Sequence, residues 1–303
     1  MKRLLLALPF VLAACDRGGA VTEPGRRLAP GAPSFLINPS GTVVVSPKNM
    51  RGWAFYNDAT DVLCADLTCR MVVGPAVPPL GKGSAELATP TAADRRALIL
   101  YDYAGTRFDS FTELSYSTYR QTADVNNILA IALQFNVDYD LTDNVSTFMG
   151  RLVFEPYQAL PQPVVSQNKW QTWDALAGRW WGSRSMVTKG GVVVPNPCVQ
   201  NTPCTRAQLL AAFPNIGVRA GFGGVVLKAG GPWPGFRGNV DKLTIGLGGL
   251  RAAKTTFNFE PSRGGGNDDD CDNADSQKAT AADHSKSDKD RDCRESERED
   301  ESR

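Results

Sequence analysis

Ile131-Ala132-Leu133-Gln134-Phe135-Asn136-Val137-Asp138-Tyr139-Asp140 is the stretch on which the reading of the fold turns. Ile131, Leu133, Phe135, Val137 and Tyr139 alternate with Ala132, Gln134, Asn136, Asp138 and Asp140. That period of two, with one apolar face, is the pattern of a half-buried β-strand. A turn-rich segment, 141–150, leads to a second run. There Leu152 and Phe154 share one face, Arg151, Val153, Glu155 and Tyr157 share the other, and Pro156 marks the end. Paired as a hairpin, the two runs place Gln134, Asn136, Asp138 and Asp140 on the same sheet face as Arg151, Glu155 and Tyr157.

Outward from this hairpin, further strand-like runs occupy 42–45, 96–103, 114–120, 191–194, 224–228, 240–247 and 255–259. They are short, are punctuated by Gly and Pro, and have no long helices between them. This spacing predicts an all-β, jelly-roll-type sandwich over 34–262 in preference to a parallel α/β sheet. One helix is expected: Thr205-Arg206-Ala207-Gln208 is a capping box, Leu209, Leu210 and Phe213 supply an apolar side, and Pro214 stops it. Residues 121–127 or 170–178 are the other places where a turn or two of helix fits.

The whole chain, 303 residues with 42% apolar content, is long enough for a sizeable core. Its near-neutral formal charge of +1 hides two unlike parts. From Gly264 onward the chain has 14 acidic and 7 basic residues and no Leu, Ile, Val, Phe, Tyr or Trp, so 263–303 is expected to be a disordered acidic tail. The remainder is basic. The overall balance of charge argues against nucleic acid as a partner. The single histidine, His284, lies in the tail, which sets aside His-based triads and zinc sites.

Lys2 and Arg3 precede a nine-residue apolar stretch, Leu4 to Leu12, which suits a signal peptide and is far shorter than the ~20 residues of a transmembrane helix. Leu12-Ala13-Ala14-Cys15 resembles the lipobox of bacterial lipoproteins, and the resemblance implies a signal peptide over 1–14 and a lipid on Cys15. Ordinary secretion, with cleavage after Gly18-Gly19-Ala20, is the alternative. Residues 15–33 read as a flexible Gly/Pro/Arg-rich tether. Six cysteines remain in three local couples: Cys64 with Cys69, Cys198 with Cys204, and Cys271 with Cys293. An even number outside the cytoplasm reads as disulfides. Loops this short contribute about 2 kcal/mol each and pin surface segments without creating the fold.

Three groups of residues carry candidate chemistry. On the polar hairpin face, amides, a carboxylate and a ring (Gln134, Asn136, Glu155 and Tyr157) suit a hydroxyl-rich ligand; a solvated sheet face alternates in the same way. In the following turn, Asp138, Asp140, Asp143 and Asn144 offer closely spaced oxygens of the kind calcium takes. An EF-hand match fails there, because Met149 stands where the bidentate Glu belongs and the required Gly is missing; Asp and Asn also populate turns for local backbone reasons. Trp170, Trp173, Trp180 and Trp181 fall within twelve residues, either as core or as stacking platforms. Trp180 and Trp181 cannot both point inward from one strand, so one of them is the expected exposed aromatic. Glu155 with Asp174 is a candidate acid/base pair for glycoside hydrolysis, although no Glu-x-Asp-x-x-Glu strand of the jelly-roll glucanase kind is present.

The phrases Tyr116-Ser117-Thr118-Tyr119-Arg120, 150–157, 170–176 with Trp180-Trp181, 240–246 and Phe257-Asn258-Phe259-Glu260-Pro261 resemble a group of secreted bacterial proteins without an assigned activity. That group is similar to the laminin-G/concanavalin-like jelly rolls, many of which bind glycans or proteins, often with calcium. The resemblance implies a fold and transfers no catalytic residue. The leading expectation is therefore a lipoprotein of the bacterial envelope with a non-catalytic module that binds an envelope or extracellular glycan. A structural or adhesive protein contacting another envelope protein comes second, and a glycoside hydrolase or lyase third.

Overall fold

The computed structural model describes residues 40–262, except 123–126, 146, 222 and 250–251. Cys15, the tether, the Cys271–Cys293 couple and the acidic tail lie outside the described residues, as does the expected start of the domain at 34–39. In chain order the first strands are β1 (Ser40–Val45), β2 (Ala54–Asn57), β3 (Val62–Leu63), β4 (Cys69–Val73), β5 (Gly83–Thr89) and β6 (Arg95–Leu100). Next come β7 (Phe111–Arg120), β8 (Ala132–Asp138), β9 (Arg151–Phe154), β10 (Trp170–Asp174), β11 (Arg179–Gly182) and β12 (Met186–Val187). The last are β13 (Val193–Val194), β14 (Cys204–Thr205), β15 (Gly217–Val218), β16 (Val225–Gly230), β17 (Phe236–Leu247) and β18 (Ala253–Phe259), with a single α-helix, α1 (Arg206–Ala212), after β14.

The fold is an all-β sandwich. One sheet has seven strands. Its twelve-residue β17 is long enough to pair with β5 at one end and β18 at the other while β7 runs along its opposite edge; β4, β1 and β10 complete it. The second has nine, ordered β14-β11-β9-β8-β16-β6-β2-β3, with β15 also on β8, and β12 and β13 form a separate two-stranded ribbon. Pairings within both sheets are antiparallel except β1 with β18, which run parallel from Ser40 beside Lys254 to Val45 beside Phe259. The expected hairpin forms: β8 and β9 pair with Leu133 opposite Phe154 and Asn136 opposite Arg151.

The inner faces meet in one apolar core. Leu133, Phe135 and Val137 of β8, Leu152 and Phe154 of β9, and Val225 and Leu227 of β16 face Phe111, Leu114 and Tyr116 of β7 and Val240, Leu243 and Ile245 of β17. Ring contacts stitch the sheets together, with Phe111 stacked on Phe135 at 5.3 Å and Tyr116 edge-on to Phe154 at 6.2 Å. Trp180 lies at the centre of an aromatic cluster. Its ring is 5.2 Å from Phe108, 5.6 Å from Phe135 and 5.5 Å from Phe154, and its Nε1 donates to Ala175 O at 2.8 Å. Gly182, also on the inner side of β11, makes room there; a Cβ at this position would sit 2.1 Å from the Tyr139 hydroxyl.

Two local expectations meet different outcomes. Helix α1 starts where the capping box places it: Thr205 N donates to Gln208 Oε1 at 2.9 Å, and Gln208 N donates to Thr205 Oγ1 at 3.4 Å. Residues 170–174, in contrast, are strand β10, paired with β7 from Trp170 beside Tyr119 to Asp174 beside Ser115. Trp173 Nε1 donates to Thr118 Oγ1 at 2.8 Å, so edge pairing and ring burial outweigh the local tendency to turn.

Both described disulfides are those expected, Cys64–Cys69 and Cys198–Cys204. They fit an oxidising, extracytoplasmic compartment. No helix among the described residues is long and apolar enough to cross a membrane.

Strand alternation at β11 makes a direct prediction. Trp180→Ala should cost about 3–5 kcal/mol in urea denaturation, because it empties the centre of the core, whereas Trp181→Ala should cost less than half as much. Equal losses would show that the two indoles are not on opposite faces.

Candidate functional site

The outer face of the nine-stranded sheet holds the candidate site. Residues that alternate with the core side chains form rungs across it: Val226 pairs with Gln134, Gln134 with Val153, and Val153 with Trp181. Two residues along β8 in one direction Lys228 lies beside Ala132, and two residues in the other Arg151 lies beside Asn136. Of these, Ala132, Gln134, Arg151, Val153, Trp181 and Lys228 floor a cleft of about 330 Å³, closed at its side by Trp233 and its Gly230-Gly231-Pro232 turn. Gln134, Arg151 and Glu155 are all buried, so this part of the face is not the solvated sheet surface that alternation also permits.

Glu155 is the hub at one end. Its Oε2 accepts from Trp181 Nε1 at 3.0 Å, from the Tyr157 hydroxyl at 3.2 Å and from Gln200 Nε2 at 3.4 Å. Burial raises its carboxyl above the usual range, against the opposing pull of these donors. Burial and the neighbouring carboxylate push the Tyr157 hydroxyl up to about 12. Tyr157 itself lines an adjacent, larger cavity of about 650 Å³, which Gln158, Arg179 and Asn201 help to form. Gln200 borders both cavities, so the two meet beside Glu155.

Asp58, in the turn after β2, joins Arg151 to Lys228. Its Oδ1 accepts from Arg151 Nη2 at 2.7 Å, and its Oδ2 accepts from Lys228 Nζ. One carboxylate thus ties β9 and β16 to the β2 turn. Burial pushes the Asp58 carboxyl up, but the two cations outweigh it and hold it below the usual carboxylate range. Lys228 is lowered by burial, with Asp58 opposing. Arg95 stands at the rim, and its Nη1 donates to Ala93 O at 2.9 Å.

Not every residue singled out in the sequence comes to this cleft. Gln134, Glu155 and Trp181 do. Tyr157 reaches it through its hydroxyl contact with Glu155. Asn136 is buried beside Arg151 and is not part of the lining. Trp180 is a correction: it is fully buried in the core, and the alternation that exposes Trp181 is the reason. Asp174 also falls elsewhere. It is exposed on β10 in the other sheet and accepts from Leu176 N and Ala177 N, so it forms no acid/base pair with Glu155.

Three of the four side chains expected to hold calcium each bond the nearby backbone through one oxygen. Asp138 Oδ1 accepts from Asp140 N at 2.9 Å, Asp140 Oδ1 from Thr142 N at 3.0 Å, and Asp143 Oδ1 from Val145 N at 2.8 Å. Asn144 takes a left-handed φ of 60°. Each of these three aspartates bonds the backbone two residues on, which turns the chain. Among the described residues, the only acidic or sulfur-bearing cluster within 4.8 Å is Cys64, Asp66 and Cys69, whose sulfurs are bonded to each other.

Asp58, Lys228, Arg95, Gln200 and Trp233 were not anticipated. They come from four separate stretches, and no linear motif joins them. Two signals were nonetheless present. Lys228 alternates with Val225 and Leu227 in a strand-like run, and Trp233 is a large ring inside a Gly/Pro turn. Comparison with known proteins adds nothing to this geometry: no protein family, curated protein or solved structure matches the chain.

Removal of the shared counter-charge should be severe. Asp58→Ala leaves two buried cations unpaired and is expected to cost about 3–5 kcal/mol in chemical denaturation. A loss below about 1 kcal/mol would show that the clamp does not hold these strands.

Proposed function

We propose that this protein is a bacterial envelope lipoprotein whose sandwich binds a glycan without transforming it. The observation that carries the reading is the outer-face cleft. Two half-buried indoles, Trp181 and Trp233, line it together with an amide, Gln134, and a carboxylate, Glu155. Indole faces cover the apolar side of a pyranose ring, while amide and carboxylate oxygens read its hydroxyls. Glu155 is the single carboxylate in the cleft lining, which favours binding over two-carboxylate hydrolysis. The two-sheet architecture also supports kinship with the laminin-G/concanavalin-like jelly rolls, and the lipobox-like Leu12-Ala13-Ala14-Cys15 supports a lipid on Cys15.

A glycan array probed with the full-length protein tests the ligand class. Selective binding is expected, and Trp181→Ala should weaken it at least tenfold; no binding, or binding indifferent to Trp181, would overturn the glycan reading. The anchor has its own test. Mass spectrometry of protein from bacterial membranes should find an acylated Cys15 at the mature N-terminus, and a mature chain beginning downstream of Cys15 would refute it.

A further inference from the structure

We propose that the cleft and the larger cavity beside it form one continuous groove that takes an uncharged oligosaccharide, with at least one sugar unit seated in each. The inference rests on the glycan reading and deepens it. It names the length and charge of the ligand and gives a role to the larger cavity, which that reading leaves unused.

Two strands lead from one space into the other. β9 and β11 run antiparallel with Trp181 beside Val153, so rising numbers on β9 and falling numbers on β11 point the same way. In that direction Glu155 of the cleft is followed by Tyr157, and Trp181 of the cleft by Arg179; Tyr157 and Arg179 both line the larger cavity. Arg179 and Trp181 share one face of β11, two residues or about 7 Å apart at strand rise. Gln200 borders both spaces, and its Nε2 donates to Glu155 Oε2 at 3.4 Å. At about 330 and 650 Å³, each space lies within the range of about 300–1,000 Å³ that encloses a small ligand, so the pair has room for consecutive sugars.

The lining of the larger cavity gives the charge of the ligand. Five carboxamides, those of Gln158, Gln162, Gln200, Asn201 and Gln208, line it together with one cation, Arg179, and no carboxylate. A carboxamide both donates and accepts, as a hydroxyl does, so it pairs with sugar hydroxyls without a counter-charge. Gln162, Gln200 and Asn201 are exposed and within reach of a ligand. In the cleft the buried cations are already matched, because Arg151 and Lys228 share Asp58 and the Asp61 carboxylate stands near Arg151. That leaves Arg95 and Glu155, one charge of each sign, in the cleft lining.

The wall common to the two spaces is built in advance. Gln200 and Asn201 sit in a loop closed by the Cys198–Cys204 disulfide. Within it Thr202 N donates to Val199 O at 2.9 Å, and at its base Cys198 N donates to the buried Asn196 Oδ1 at 2.9 Å. A loop held in this way has less freedom to lose when a ligand binds.

The test is a length series on the full-length protein. An array carries oligomers of glucose, mannose, galactose and N-acetylglucosamine from one to six units, beside galacturonate oligomers of the same lengths. The best-bound neutral series is expected to gain at least tenfold in affinity from monomer to tetramer and to bind more tightly than the galacturonates. Asn201→Ala and, separately, Gln162→Ala change exposed side chains of the larger cavity and should flatten that dependence on length, whereas Trp181→Ala should weaken every length. Equal affinity for monomer and hexamer, or a length dependence that both variants leave intact, would overturn the continuous groove and leave the glycan reading standing. Tighter binding of the galacturonates would overturn the uncharged assignment alone. Binding to none of the series would overturn the groove and the glycan reading together.

Discussion

Burial of Trp180 is the constraint on which much of this half of the molecule depends. Its indole fills the space between Phe108, Phe135 and Phe154, and its Nε1 is satisfied by Ala175 O, so neither packing nor hydrogen bonding leaves the ring an alternative position. A strand cannot turn two successive side chains the same way. With Trp180 inside, Trp181 must stand on the outer face, where it reaches Glu155. The same rule on β9 sends Leu152 and Phe154 inward and Arg151, Val153 and Glu155 outward. The cleft is thus the reverse side of the core, and each of its strand-borne residues is positioned by an apolar neighbour one residue away.

What turns that outer face into a site is the charge placed on it. Buried ionic groups add little stability compared with apolar packing of the same volume, and breaking one is expensive. Asp58 with Arg151 and Lys228 meets that cost for itself. An arrangement that only stabilised the sheet would gain more from hydrocarbon. Glu155 is held in a similar way, with one of its oxygens serving three donors. The polar groups are thus tied to the sheet, with the half-buried rings of Trp181 and Trp233 beside them in the cleft wall.

The contrast between the two acidic regions shows why residue type alone misleads. Asp138, Asp140 and Asp143 look like cation ligands because they crowd a turn, and one oxygen of each serves the backbone that makes the turn. Asp58 has no remarkable neighbours in sequence and holds two cations from distant strands. Local hydrogen bonds within two residues compete directly with metal coordination, and proximity along the chain favours the local partner.

Alternation and punctuation in the sequence were sufficient for the all-β class, the β8–β9 hairpin with its two faces, the capping box of α1, and the two local disulfides. All of these depend on contacts within a few residues or on a period the strand imposes everywhere. The sequence also placed Gln134 and Glu155 on one face and required one of Trp180 and Trp181 to face outward. It did not determine which indole points inward, because alternation fixes only that they differ; the sense is set by the volume waiting on the other side of the sheet. Only the tertiary structure brought Asp58, Lys228, Arg95, Gln200 and Trp233 to the same cleft, because strand order across a sheet is settled by pairing between segments far apart in the chain, and no local pattern records it.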